Sequence, residues 1–383
     1  MMKIHEKVFL SLVRNSLWNT QVEVPAEFKD WSLVMCLAGS QALQGTVAKA
    51  LLDNPSELDR MKPDAESKLK NILMTNMVMH SMANSTLQEL VKTLDNAGIK
   101  YVLLKGQGLA ANYPDPELRE CGDIDLYVGT EQYLQSYEVL KDVVDEIDDA
   151  AVFKGGGKHY HAMRSGISIE IHKYSEILSS LSLDKTYQRY ANVGLSQNLA
   201  GLNFGESMVW TPADDFNAFY VFNHLWNHFL SVGIGLRQIC DWTMLLHSRG
   251  HNIDRKYLQE ILTEMKLMKP WKTFGCIVVN ILGLPEEEFP FYDPKYGKKA
   301  QKVLERIMTD GDMGRETEFI RKSNKGYLHE KLFSMKFYIK RFNQLTRLFP
   351  YHAFLRLSHS IANGIKLLFK DFIVYLRLQN FNR

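Results

Sequence analysis

Two aspartates one residue apart, Asp123 and Asp125, stand in the apolar run Gly122-Asp123-Ile124-Asp125-Leu126-Tyr127-Val128. Read as a strand, this run puts both carboxylates on one face and Ile124 and Leu126 on the other. Two like charges side by side repel, and burying them unpaired is costly. A hard cation such as Mg²⁺, which takes oxygen ligands, removes that repulsion. The pattern therefore predicts a metal-dependent site that handles phosphates. Upstream, the apolar residues 101–104 lead into Lys105-Gly106. A glycine at such a strand-to-helix turn allows close backbone approach, and a helix start favours anions. A third acid comes from residues 167–172, where Ile167, Ile169 and Ile171 share one strand face and Ser168, Glu170 and His172 the other. If the two strands adjoin, Asp123, Asp125 and Glu170 converge, as two-metal phosphoryl chemistry requires. Such chemistry is mostly positioning and charge neutralisation, so few other side chains are needed.

Other polar residues carry weaker signals. His172 reads as a structural histidine beside Glu170. His159 and His161 flank the glycines at 155–157, where they can meet a substrate. His224 and His228 have the i, i+4 spacing of a zinc pair, but no HExxH glutamate accompanies them, which favours packing or capping. Asp241 is expected to pair with Arg237 four residues earlier.

The elements that must position these groups follow from periodicity. Residues 4–96 read as helical: 4–17, a helix beginning at Pro25, another over 42–52, and a long one over 64–96. The methionines of the last (Met74, Met77, Met79, Met82) read as core filler. Strands and helices then alternate: strands at 101–104, 123–128, 158–164 and 167–172, helices at 108–113 and 131–144, an acidic helix end and loop over 142–149, and a hairpin turn at Ser165-Gly166. After 175 the texture is helical again, apart from a brief strand at 208–210. The predicted fold is α+β, a small mixed sheet flanked by helical regions. The boundaries expected are 1–96, 97–180, 181–320 and 321–383.

Composition narrows the function. The chain has 383 residues and a formal net charge of +2, so it lacks the basic signature of a nucleic-acid binder. Its four cysteines show no CxxC spacing, which suits a reducing compartment and argues against a zinc ribbon. No signal peptide and no apolar run of membrane-spanning length is read. A cytoplasmic location is expected. From Arg321 onward, thirteen Lys and Arg face two acids, interleaved with aromatics. That segment reads as a helical layer docked on the body or as a peripheral contact with an anionic membrane surface.

The pattern LLKG…GDIDLYV…IEIH resembles the uncharacterised nucleotidyltransferase family of the DNA polymerase beta-like superfamily. FNHLWNH (222–228) and GLRQICDW (235–242) are similar to the same family. The likeness spans about residues 100–245. It implies a nucleotidyltransferase core over 97–180 and a helical acceptor region over 181–320. It also implies transfer of a nucleoside monophosphate from an NTP to an acceptor hydroxyl, with pyrophosphate leaving. Asp123, Asp125 and Glu170 match the acids that would hold two Mg²⁺ ions. Lys105, Gly106, Arg119 and Gly122 are the nucleotide contacts it implies. Surface-polysaccharide or small-molecule modification is the setting that similar proteins suggest. One departure is plain: Gln107 follows Gly106 where the superfamily has serine. The alternative is a degenerate member acting as a nucleotide sensor or a membrane-surface adaptor.

Overall fold

Apolar residues at helical spacing fold the first third of the chain into α1 (Ile4–Trp18), α2 (Trp31–Ser40), α3 (Gln44–Leu52), the short α4 (Pro55–Leu58) and the long α5 (Ala65–Asn96). The computed structural model describes residues 2–153, 157–205, 207–312 and 327–358. These form a larger unit of 2–177 and 188–312 and a smaller one of 178–187 and 327–358. The helix expected from Pro25 starts instead at Trp31. The reason is Arg60, whose guanidinium collects the carbonyls of Pro25, Ala26 and Phe28 and holds that segment as a loop. The α5 methionines are also corrected: Met74 is 64% exposed and Met77 49%. Ala65, Leu69, His80, Ala83, Thr86, Leu87, Leu90, Val91 and Leu94 are the buried residues of α5. The methionines fall off their stripe and face outward.

Next come β1 (Val102–Leu103), α6 (Gln107–Ala110), β2 (Ile124–Tyr127), α7 (Gly129–Leu140), β3 (Glu146–Ile147), α8 (Asp149–Phe153), β4 (His159–Arg164) and β5 (Ile167–His172). The strands form one sheet in the order β1-β2-β5-β4-β3. β2 and β5 run parallel, and the other neighbours are antiparallel. β3 is an edge strand within the stretch expected to be helix end and loop. The β4–β5 hairpin turns at Ser165 (φ +51°) and Gly166 (φ +77°), the positive φ values a tight two-residue hairpin requires. One sheet face is apolar. Ile124, Leu126, Ile167, Ile169 and Ile171 pack with Leu87, Leu90, Val91 and Leu94 of α5 and Tyr133 and Leu140 of α7. That burial fixes the register, because a one-residue slip would turn the carboxylates into this core.

α9 (Leu181–Gly194) begins in the smaller unit and ends in the larger. β6 (Ala200–Phe204) and β7 (Ser207–Thr211) make a second, two-stranded sheet. α10 (Asp214–Ser231), α11 (Leu236–Arg249), α12 (Arg255–Glu264), α13 (Met268–Ile277) and α14 (Gly297–Asp310) follow. Phe222, Trp242, Trp271 and Phe289 interlock edge to face or tilted, with ring centroids 4.7–5.7 Å apart. This aromatic core fixes α10 and α11, which supply the second wall of the site.

The smaller unit contains α15 (Tyr327–Leu348) and a helical stretch at 350–358. Residues 321–326 and 359–383 of the basic segment, and the expected glycine turn at 155 and 156, lie outside the described residues. No helix among the described residues is long and apolar enough to cross a membrane.

Candidate active site

The parallel pairing of β2 with β5 puts Asp125 directly opposite Glu170. The antiparallel pairing of β4 with β5 puts His161 opposite Glu170 and His159 opposite His172. Paired residues project to the same sheet face. One polar row therefore crosses three strands on the side away from the isoleucines.

Lys105-Gly106 closes over this row from the end of β1, where Leu104 N–H donates to the Asp125 carbonyl at 3.0 Å. Gly106 has φ +54° and ψ −118°. A Cβ there would lie 2.9 Å from the Asp123 carbonyl oxygen. The turn and the aspartate strand are thus in backbone contact, which only glycine permits. Gly106→Ala is expected to cost about 1–3 kcal/mol in backbone strain and to displace Asp123. Thermal melting and turnover should fall together.

The buried Asp125 is the hub. Its Oδ1 lies 3.0 Å from His172 Nε2 and 3.1 Å from Lys105 Nζ. His172 Nε2 is also 3.1 Å from Glu170 Oε2, and its Nδ1 is 3.4 Å from the Tyr174 carbonyl. Both ring nitrogens face acceptors, an arrangement that favours the protonated ring. Burial alone would lower the His172 pKa, but the two carboxylates outweigh it and raise the value. Burial alone would likewise raise Asp125; Lys105 and His172 hold it well below the usual range. Asp123 moves the other way: loss of solvent and then the charges of Asp125 and Glu170 raise its pKa. The row is therefore crowded with negative charge at the Asp123 end.

These groups line a cavity of about 340 Å³, with Lys105, Gly106, Gly122, Asp123, Asp125 and Glu170 on the sheet side. α10 and α11 supply His224, His228 and Arg237 across from them. His224 Nε2 lies 3.3 Å from Lys105 Nζ and must accept from the ammonium. Its Nδ1–H then faces Glu176 Oε2 at 3.2 Å. Glu176 also lies 3.4 Å from Lys158 Nζ. Burial would raise its pKa, but His224 and Lys158 pull it down. Glu176 and Lys158 escaped sequence reasoning, and Arg237 was read only as a partner for Asp241. Glu176 follows β5 in an irregular stretch with no periodic signal, and only the tertiary fold brings it to His224. His224 and His228 serve the cavity wall.

Arg119 reaches the cavity, but its fork closes on Asp241: Nε to Oδ1 at 2.7 Å and an Nη to Oδ2 at 2.8 Å. Asp241 thus pairs with Arg119, not with the expected Arg237. Arg237 instead donates to the Glu120 carbonyl at 3.1 Å. Gln107, which follows Gly106, is buried and turned to Asn84 and His80.

His228 has a buried Nδ1 with no hydrogen-bond partner. Burial, then His224 and Lys105, lower its pKa to about 3. The unfolded chain binds this proton near pH 6.5, whereas the folded chain does not until about pH 3. Stability is therefore full above pH 6.5 and falls as pH drops through that window. At pH 5 the expected loss from this residue is on the order of 2 kcal/mol. Urea unfolding at pH 7 and pH 5 checks this, and His228→Gln should flatten the difference.

The residues present could hold a metal ion. Among the described residues, one polar atom from each of Asp125, Glu170 and His172 lies within 4.8 Å of the others; the two carboxylates are the ligands of the set, and His172 serves as their counter-charge. Asp123 lines the same cavity but is not one of this group, so the expected convergence of three acids is seen for Asp125 and Glu170. Comparison with known proteins gives one match. The family model described as uncharacterised nucleotidyltransferase covers residues 27–282, well over half of the chain, and the chain belongs to that family. No curated protein and no solved structure matches it.

Proposed function

We propose that this member of the nucleotidyltransferase family moves a nucleoside monophosphate from an NTP to an acceptor hydroxyl, releasing pyrophosphate. The observation that carries the reading is the pairing of Asp125 with Glu170 beside the Lys105-Gly106 turn, at the floor of a cavity. Asp123, Asp125 and Glu170 would hold Mg²⁺. When bound, that ion would neutralise the triphosphate and polarise the phosphorus under attack. Asp125 is kept ionised by Lys105 and His172, so it is ready to bind a cation at neutral pH. Lys105, Lys158 and Arg237 give the cavity a positive side for the phosphates, and Gly106 and Gly122 let backbone come close to them. Arg119 serves that side through Asp241 as a clamp between the loop before β2 and α11. The acceptor enters between the sheet and α10, and a small molecule or a sugar hydroxyl suits the cavity's size.

The test is release of pyrophosphate from each of the four NTPs with Mg²⁺ and a panel of sugar, polyol and protein acceptors. Release that requires an acceptor and disappears in Asp125→Asn supports transfer. A sensor reading rests on one observation, the inward turn of Gln107 where the superfamily has serine. Tight NTP binding without turnover across the whole panel would favour it.

A further inference from the structure

On the other side of Glu170 from Asp125 lies a second group of ligand atoms. One nitrogen from each of His159 and His161 and one oxygen of Glu170 fall within 4.8 Å of one another. His159 and His161 alternate on β4, so both project to the polar face, and His161 sits directly opposite Glu170. His159 Nδ1 is 3.3 Å from Glu170 Oε2, and His161 Nδ1 is 3.6 Å from Oε1. The two rings also face each other, Nε2 to Nε2 at 3.0 Å. Only one of those nitrogens can carry the shared proton, so the other presents a lone pair. His159 Nδ1 is buried and makes no hydrogen bond.

We infer that His159, His161 and Glu170 form a binding site for a borderline divalent cation of the zinc type, distinct from the carboxylate site for Mg²⁺. Two imidazoles and one carboxylate are the ligand set of an open zinc site, with a position left for water or a phosphate oxygen. Metal–ligand bonds of about 2.0–2.2 Å set ligand atoms roughly 3.3 Å apart in a tetrahedron, close to the Glu170 separations here. Imidazole nitrogen selects such ions over Mg²⁺, which prefers oxygen. His161 is half exposed, which gives an ion a way in. Glu170 thereby links the two sites: one carboxylate faces the Asp125 side through His172 and the zinc-type side through β4. An ion there would hold Glu170 in place and put a second positive charge beside the cavity.

The probe is Zn²⁺ alone, added to chelator-stripped full-length protein without nucleotide. Millimolar Mg²⁺ is kept present to occupy the carboxylate site. Competition with a chromophoric chelator should show one equivalent bound by the wild type. His161→Asn, the change least able to disturb folding, should weaken binding by about 100-fold or more, beyond the roughly 10–100-fold that outer partners are worth. Asp125→Asn should bind as the wild type does. Co²⁺ in place of Zn²⁺ should give the strong visible bands of a tetrahedral site, lost in His159→Asn/His161→Asn. Unchanged affinity in His161→Asn overturns the proposal. So does a wild type that binds no better than the double variant, or loss of binding in Asp125→Asn with His161→Asn unaffected. None of these outcomes depends on nucleotide transfer.

Discussion

Asp125→Asn is expected to lower turnover by about 10³-fold, the scale on which a preorganised electrostatic contact to a reacting group acts. The amide keeps the shape of the carboxylate but removes the charge that Lys105 and His172 face at 3.1 and 3.0 Å. His172 is then left with Glu170, and Lys105 with the charges of Glu170 and Glu176. Stability should fall as well, because the depressed pKa of Asp125 marks a carboxylate whose charge favours the folded state. Asp123→Asn is expected to abolish turnover comparably with the opposite sign in stability. Its raised pKa marks a charge repelled by its neighbours, so removing that charge should leave melting unchanged or higher. Pyrophosphate release and thermal melting of the two variants, measured side by side, check both signs. Turnover within tenfold of wild type in Asp125→Asn would sink the transferase site as drawn. A loss of activity that merely tracks melting in both variants would reduce the aspartates to a structural role.

That site was legible in the sequence to the extent that it depends on alternation. β5 spans residues 167–172 as expected, and β2 lies within 123–128, because Ile167, Ile169 and Ile171, and Ile124, Leu126 and Val128, recur at period two against a buried face. Once Ile124 and Ile169 are buried side by side, Asp125 and Glu170 have nowhere to go but the opposite face. The partners of those acids were not legible. His172 read as a structural histidine, and only its position between two carboxylates shows it as their shared counter-ion. Glu176 meets Lys158, 18 positions before it, and His224, 48 positions beyond it. No local pattern encodes a meeting at either separation. The exposed methionines of α5 failed for a related reason. Hydrophobicity alone assigned them inward, while the true stripe includes His80 and Thr86, polar residues that a hydrophobicity count passes over.

Arg119→Met is expected to destabilise the fold by about 3–5 kcal/mol, the cost of leaving a buried charge without its partner. Both side chains of the Arg119–Asp241 pair are only 5% exposed. The geometry is two-pronged, and Tyr113 donates a further hydrogen bond to Asp241 Oδ1 at 2.7 Å. With Arg119 gone, Asp241 keeps one hydroxyl and only the more distant charge of Arg237. Burial would then raise its pKa, which Arg119 now holds down. Asp241→Asn should cost a similar amount by stranding the guanidinium. Arg119→Met/Asp241→Leu should recover much of the loss, since an apolar pair of similar size needs no solvation. Arg119→Lys separates this role from nucleotide binding, because lysine keeps the charge but cannot close a fork on one carboxylate. If the clamp is what Arg119 supplies, that variant melts lower while its KM for NTP stays near wild type at temperatures where it is folded. A wild-type melting curve with a raised KM would instead return Arg119 to the nucleotide, and the positive side of the cavity would have to be redrawn around it.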